Sequence, residues 1–199
     1  MSKLLVLSVA GLGYDLATRL PPRDGRSPFP GGAVHPAASV LPAVTCTAQA
    51  SFRTAAPPAR HGMVANGLFD RRWRKAAFWE QAASLVEGER IWSAFRAAGR
   101  TVGLLFWQQS MGEDADLVLT PAPIHRHGGG TILDCYSQPA TLHPRLKRSL
   151  GEFPLCRYWG PLASARVGDW IAAAVADVMR HEAPDLLLAY LPTLDYDLQ

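Results

Sequence analysis

Two short runs of the chain are almost entirely apolar, Leu4–Val9 near its start and Leu186–Leu191 near its end. Runs of this length are typical of strands covered on both faces in a parallel sheet. Thr101–Trp107 and Val118–Thr120 predict two further strands. The pattern therefore indicates a buried sheet with a covering layer on each side.

Helical periodicity lies between these strands. Arg166–Glu182 carries apolar residues three and four positions apart, which predicts an amphipathic helix. Glu87–Ala98 has the same spacing and is followed by Gly99, where a helix cap is expected. Shorter helices are predicted over Tyr14–Leu20 and Thr45–Thr54. Strands that alternate with helices favour an α/β fold with a mostly parallel sheet.

The remaining segments are predicted as connections rich in Gly and Pro. They are Pro21–Gly32, an extended stretch over Val34–Val44, and loops over Pro121–Gly130 and Asp134–Pro144. The sequence contains no internal repeat and no low-complexity tract.

Charge argues against a nucleic-acid polymer as partner. The 20 basic and 17 acidic residues are interspersed and give a net charge of +3. The densest basic cluster, Asp70–Lys75, is short, whereas nucleic-acid-binding proteins usually carry a long basic stripe. We expect a solvated surface there.

The sequence predicts a cytoplasmic protein that does not enter a membrane. No segment approaches the roughly 18 apolar residues of a membrane span. The apolar start of the chain ends in Gly-Leu-Gly without a small-residue cleavage site, so it is not typical of a secretory leader. The three cysteines, Cys46, Cys135 and Cys156, form no Cys-x-x-Cys pair, as expected in a reducing compartment.

Thr45 lies at a predicted strand-to-helix junction, in "LPAVTCTAQAS". A helix start offers unpaired backbone N–H groups and a positive dipole end, which suit a phosphate and favour a reactive hydroxyl. In the competing interpretation, Thr45 or Thr47 simply caps the helix. The local spacing favours the cap.

Carboxylates and imidazoles occur in other predicted loops and turns. Asp195 and Asp197 follow the last strand and could hold a divalent cation, although exposed Asp is ordinary. His61 is expected to close the Thr45 helix onto the sheet. The histidines His125, His127 and His143 are expected in surface loops, and Trp107, Trp159 and Trp170 in packing positions.

Taken in order, four segments resemble the type I phosphodiesterase/nucleotide pyrophosphatase branch of the alkaline phosphatase superfamily. They are "LLVLSVAGLGYDL", "LPAVTCTAQAS", "HGMVANG" and "LLLAYLPTLDYDLQ". The resemblance implies an α/β fold, a three-layer αβα sandwich with a mostly parallel central sheet, incomplete in this chain. Residues 1–199 would be the N-terminal part of a single catalytic domain, because the chain ends just after a strand.

The resemblance also assigns residues. Thr45 matches the nucleophile, Asn66 the Asn that follows the His-Gly turn, and Asp195 a metal-binding Asp at a strand end. Ala48 stands where the family has a phosphate-binding Asn, and the neighbouring Gln49 would supply an amide instead. The implied reaction is hydrolysis of a small phosphorylated substrate through a covalent Thr intermediate, with two divalent metals, usually zinc.

Two departures leave the metal chemistry open. Ala10 and Gln199 stand where the family has metal ligands, and the remaining ligands would lie beyond this chain. A metal-assisted hydrolase of phosphoric esters or phosphoanhydrides is the leading hypothesis. The alternative is a catalytically altered phosphatase fold that binds a phosphorylated ligand, and transfer of a phosphoryl-linked group is a third possibility.

Overall fold

The strands of the protein are numbered β1 to β9 in chain order. The computed structural model describes residues 3–29, 31–72, 74–125 and 128–198, without the side chains of residues 125 and 197. In these ranges the strands are Leu4–Val9, Gly67–Asp70, Lys75–Phe78, Val102–Leu105, Leu117–Pro121, Ile124–His125, Thr131–Ile132, Cys135–Gln138 and Leu186–Leu191.

The helices are numbered α1 to α7 in the same way. They are Tyr14–Arg19, Thr45–Thr54, Pro58–His61, Ser93–Ala97, Leu142–Leu150, Ala165–His181 and Thr193–Asp197. Single 3₁₀ turns occur at Ala83–Leu85, Leu155–Arg157 and Gly160–Leu162. None of the helices in the described ranges has the length and apolarity that a membrane span requires.

The central sheet has five strands in the order β1-β9-β4-β5-β8. The first four are mutually parallel, and β8 joins β5 antiparallel at one edge. The prediction of a mostly parallel sheet is therefore confirmed. Because parallel neighbours bring their carboxyl ends to the same side, the ends of β1 and β9 lie together.

Strand β9 shows how the sheet separates two cores. Leu186 and Leu188 point into a cluster that contains Trp92, while Leu187 and Ala189 point into a second cluster formed with α5 and α6. Successive residues of a strand face opposite sides of a sheet, so an apolar run fills both cores at once. The result is the three-layer α/β arrangement that the resemblance implied.

Strand β1 has the predicted bounds but not the predicted burial. Leu4, Leu5 and Leu7 are 51%, 39% and 49% exposed. Among the described residues β1 pairs with β9 alone and forms an edge of the sheet. The expectation of a strand covered on both faces is wrong in this structure. An apolar run does not indicate whether its strand lies inside the sheet or at its edge.

Two predicted elements are shorter than expected. The helix predicted over Glu87–Ala98 is reduced to α4, because Gly88 has a φ of +98° and the Ile91 N–H donates to the Arg53 carbonyl at 2.8 Å. The strand predicted over Thr101–Trp107 ends at Leu105, because Phe106 has a φ of +59°. A positive φ is incompatible with both regular conformations.

The two predicted loops contain regular structure. Strand β6 lies within Pro121–Gly130, and β8 with the start of α5 lies within Asp134–Pro144. His143 consequently belongs to a helix, not to a loop. Strand β8 contains Cys, Ser and Gln and depends on pairing with β5, which the local sequence does not reveal. The hairpin of β2 and β3 was also missed.

Candidate functional site

A cavity of about 650 Å³ lies at the carboxyl ends of β1 and β9. Ligands of open α/β sheets commonly bind on this side of the strands. Its wall includes all four residues that the sequence singled out for a site, namely Thr45, Gln49, Asn66 and Asp195. These residues are up to 150 positions apart in the chain, and the fold brings them to one place.

The turn between β1 and α1 shapes one side of the cavity. The Ala10 N–H donates to the Leu191 carbonyl at 3.0 Å, which prolongs the β1–β9 pairing by one residue. Gly11 follows with a φ of +75°, and a side chain there would lie 3.1 Å from the Asp195 Cα atom. Glycine therefore allows α7 to approach the turn and places Asp195 in the cavity wall.

Thr45 is the first residue of α2, at the amino end of the helix. Its Oγ1 atom lies 3.4 Å from the Tyr190 hydroxyl. Val44 occupies the N-cap position, and its side chain makes no hydrogen bond to the first turn of the helix. The Cys46 N–H instead donates to the Asn66 Oδ1 atom at 2.9 Å. The interpretation of Thr45 or Thr47 as the cap is wrong, since Asn66 performs this role from a distance.

Gln49 lies one helical turn after Thr45 and is 3% exposed. Its Oε1 atom accepts a hydrogen bond from the Gln108 N–H at 2.8 Å, which fixes the orientation of the amide. Its Nε2 group has no hydrogen-bond partner among the described residues. Buried amide donors are rarely left unpaired. Such a donor in a cavity wall is available to an anionic ligand.

Further glutamines hold the segment that orients Gln49. Gln81 Nε2 donates to the Gln108 Oε1 atom at 2.7 Å, and the Gln109 N–H donates to Gln81 Oε1 at 3.1 Å. Gln109 has a φ of +48°, an unfavourable conformation for a residue with a side chain. This amide network stabilises the strained backbone behind the cavity.

Arg53 ties the other half of α2 to the same segment. Its guanidinium donates to the carbonyls of Gln108 at 3.1 Å and Gln109 at 2.7 Å, and pairs with Glu113 at 3.1 Å. The side chain is fully buried, and burial lowers the pKa of Arg53 to about 10. The group therefore stays charged at neutral pH. Helix α2 is held at both Gln49 and Arg53.

Ser51 and His61 form a hydroxyl–imidazole pair that resembles a catalytic one. The Ser51 Oγ atom lies 2.8 Å from His61 Nε2, and the Met63 N–H donates to His61 Nδ1 at 3.1 Å. Because Nδ1 accepts, the neutral ring carries its proton on Nε2 and donates it to Ser51. Burial, with the charge of Arg53, lowers the pKa of His61. The ring cannot take a proton from Ser51, so the pair is structural.

The family model of type I phosphodiesterase/nucleotide pyrophosphatase matches residues 4–199. The chain belongs to this family. The match runs through β1, the start of α2, Asn66 and the end of β9, the segments from which the cavity is built. No curated protein sequence matches the chain.

Two solved structures share the fold of this chain. The phosphonoacetate hydrolase from Sinorhizobium meliloti 1021 in complex with phosphonoformate has 19% identity and a TM-score of 0.62, over 95% of this chain and 46% of that one. Murine ectonucleotide pyrophosphatase/phosphodiesterase 5, as an inactive variant in complex with AMP, has 16% identity and a TM-score of 0.52, over 99% and 45%. The chain thus spans about half the length of these proteins.

The described residues of this family member do not by themselves fit a metal centre. Zinc sites use three or four protein ligands. Asp195 is the one carboxylate in the described cavity wall, and Ala10 contributes only a methyl group. In the described ranges, no three His, Cys, Asp or Glu side chains come together as a cation site. The Asp197 side chain and Gln199 lie outside the described residues, as do the side chain of His125 and all of His127.

The cavity has little charge for a phosphodiesterase-like site. Its described wall contains no Lys, Arg or His, so neutral donors dominate it. Burial raises the pKa of Tyr190 to about 12 and also raises the pKa of the Cys46 thiol. Both groups therefore keep their protons at neutral pH, and neither acts as a base there.

Tyr190 is the cavity residue that sequence reasoning missed. It lies inside an apolar strand, where an aromatic residue is expected in the core, and it does belong to a core cluster. The available signal was its position, one residue before the end of a strand that enters the proposed site. Trp107 and Trp170 pack in the two cores as predicted.

Proposed function

We propose that this chain carries the nucleophile of a hydrolase that cleaves phosphoric ester or phosphoanhydride bonds of a small phosphorylated substrate. The observation that carries the proposal is the position of Thr45. Its hydroxyl lies in the cavity wall, at the amino end of a ten-residue helix and one turn from the buried Nε2 donor of Gln49.

The cavity residues would bind the phosphoryl group through uncharged donors. The amino end of α2 supplies the positive end of the helix dipole. Gln49 Nε2 supplies an amide donor that no described residue uses. Asn66 accepts from the Cys46 N–H through Oδ1, so its NH₂ group is the part of the amide left to face a ligand. Preorganised donors of this kind stabilise charge on phosphoryl oxygens.

The reaction would proceed in two displacements at phosphorus. The Thr45 oxygen forms a bond to phosphorus and loses its proton to solvent water, while the bond from phosphorus to the leaving-group oxygen breaks and that oxygen keeps the electron pair. Water then attacks phosphorus and loses a proton to solvent, the bond to Thr45 breaks, and the Thr45 oxygen takes up a proton from solvent. The two solved structures are complexes with phosphonoformate and with AMP, both small phosphorus oxyanions, which supports a substrate of this class.

Substitution of the nucleophile tests the proposal. With bis(p-nitrophenyl) phosphate as probe, we expect Thr45→Ala to lower kcat/KM of the whole protein at least about a thousandfold while thermal unfolding is unchanged. Ser51→Ala is the matched control on the same helix, and it should keep most of the activity because His61 already binds that hydroxyl. Wild-type turnover by the Thr45→Ala variant would contradict the proposal.

A zinc ion at Asp195 is a separate prediction. When both proteins are purified without chelator, the Asp195→Asn variant of the whole protein should contain less zinc than the wild type. Asp114→Asn, which removes an exposed carboxylate, is the control. Equal metal content in all three proteins would remove Asp195 from the ligand set.

A further inference from the structure

Among the described residues, Tyr190 is the one whose side chain lies within hydrogen-bond distance of the Thr45 oxygen. Its hydroxyl is 3.4 Å from Thr45 Oγ1. We infer that Tyr190 donates a hydrogen bond to this oxygen during the reaction and acts mainly in the second displacement, when the oxygen leaves phosphorus. The inference rests on the proposed function, because it concerns the nucleophile named there.

The sheet fixes the position of the Tyr190 hydroxyl. Tyr190 is the second-last residue of β9 and lies in register with Ser8 of β1. Its neighbour Ala189 is in register with Leu105 of β4 on the other side. The side chain is 6% exposed, and its ring belongs to the buried cluster that also contains Tyr158. A hydroxyl carried by a packed ring on an inner strand is preorganised for one partner.

The chemistry of the phenol allows one role at neutral pH. A protonated tyrosine can donate one hydrogen bond, and a buried one keeps its proton. Tyr190 therefore cannot remove the proton of Thr45. It can stabilise negative charge on Oγ1 by donating to it.

The two displacements use this donor unequally. During attack, negative charge leaves Oγ1 as its bond to phosphorus forms, so a hydrogen bond donated to Oγ1 stabilises the free oxygen more than the transition state. During hydrolysis, the water oxygen bonds to phosphorus, the P–Oγ1 bond breaks, and its electron pair stays on Oγ1. The phenol donor stabilises that charge until Oγ1 takes up a proton. The hydrogen bond therefore accelerates the second displacement more than the first.

Tyr190→Phe separates this role from packing. The substitution keeps the ring in the core and removes only the hydroxyl. Tyr136→Phe is the matched control, because it removes a part-buried tyrosine hydroxyl that donates to Gln138 at 3.1 Å in β8, at the other edge of the sheet.

The experiment follows the whole protein with bis(p-nitrophenyl) phosphate, by rapid-quench kinetics and by the intact mass of the quenched protein. For Tyr190→Phe we expect kcat to fall about ten- to a hundredfold. We also expect a burst of nitrophenolate and accumulation of a nitrophenylphosphoryl group on Thr45. Tyr136→Phe should match wild type. A loss of core packing would lower kcat without any adduct.

Three outcomes decide the matter. An adduct that accumulates on Thr45 in Tyr190→Phe supports the inference. If Thr45→Ala is inactive but Tyr190→Phe shows wild-type kcat, or a lower kcat without the adduct, the inference is wrong and the proposed function stands. If Thr45→Ala turns over the probe like wild type, or wild type does not turn it over, the proposed function fails and the role of Tyr190 fails with it.

Discussion

Two of the four hydroxyl groups on helix α2 differ in their surroundings, that of Thr45 at the first residue and that of Ser51 six residues later. Ser51 lies 2.8 Å from a histidine nitrogen, which is the arrangement usually sought around a nucleophile. The hydrogen-bond contact of the Thr45 hydroxyl among the described residues is a long one, 3.4 Å to the Tyr190 hydroxyl. The better-partnered hydroxyl is nevertheless the structural one, because the histidine donates to it and both are buried away from the cavity.

The two halves of the helix differ in how far their polar groups are satisfied. In the second half, Ser51 and the two terminal nitrogens of Arg53 have partners at hydrogen-bond distance, and only the Arg53 Nε atom has none among the described residues. In the first half, Thr47 Oγ1 and Gln49 Nε2 are buried without partners among the described residues. Stability favours satisfied groups, and of these two only Gln49 lines the cavity, so its donor is the one that a ligand there could use.

The largest expected effect is a loss of stability when Arg53, in the second half of α2, is replaced. Arg53→Met would remove a buried cation from Glu113 and leave the carbonyls of Gln108 and Gln109 without their donor. We expect the free energy of unfolding to fall by about 3–5 kcal/mol, measured by urea denaturation. Arg96→Met, which breaks two partly exposed ion pairs, with Asp114 and Asp116, should cost about 1 kcal/mol. Similar losses in both variants would contradict the comparison.

Gln49→Glu tests whether the buried Nε2 donor in the first half of α2 binds the substrate. The variant keeps an oxygen that can accept from the Gln108 N–H but replaces the Nε2 donor with a second oxygen. We expect kcat/KM for a phosphodiester probe to fall about ten- to a hundredfold, since an acceptor would face the anionic phosphate. Circular dichroism should show the fold intact. Unchanged kcat/KM would exclude Gln49 from substrate binding.

The Ser51–His61 pair predicts a smaller, pH-dependent effect. Because the folded protein lowers the pKa of His61, the unfolded chain binds its proton more readily. The stability from the neutral ring is present above the unfolded pKa of about 6.5 and is lost as the pH falls through the lowered folded pKa. The unfolding temperature should drop between pH 7 and pH 5, and by less in His61→Gln. An equal drop in both proteins would show that carboxylates alone cause it.

The smallest effect is expected for Thr47→Val. The buried Thr47 hydroxyl has no hydrogen-bond partner among the described residues, and valine has the same shape. We expect the free energy of unfolding to stay within about 1 kcal/mol of wild type or to rise, with activity unchanged. A large loss of activity would show that Thr47, not only Thr45, acts in the site.

Local sequence patterns were sufficient for elements that their own residues define. The bounds of α2 at Thr45–Thr54 and of β9 at Leu186–Leu191 were predicted correctly, because helix-compatible residues followed by Pro, and an apolar run, are local signals. The family resemblance is confirmed, and with it the α/β fold. A location in the cytoplasm, zinc and the roles of the site residues stay predictions.

Other features depended on residues far apart in the chain. The edge position of β1, the pairing of β8 with β5 and the shortening of α4 arise from contacts that no local pattern encodes. The cap of α2 is Asn66, 20 residues away from the N–H it accepts, and the partner of Thr45 is Tyr190, 145 residues away.

The sequence by itself predicted which side chains would carry the chemistry: a threonine at a helix start, two amides and a carboxylate after a strand. Only the tertiary structure decided which hydroxyl faces the cavity, which amide donor has no partner among the described residues and which tyrosine lies beside Thr45. Residue types follow local rules, whereas hydrogen-bond partners depend on how strands and helices distant in sequence pack together.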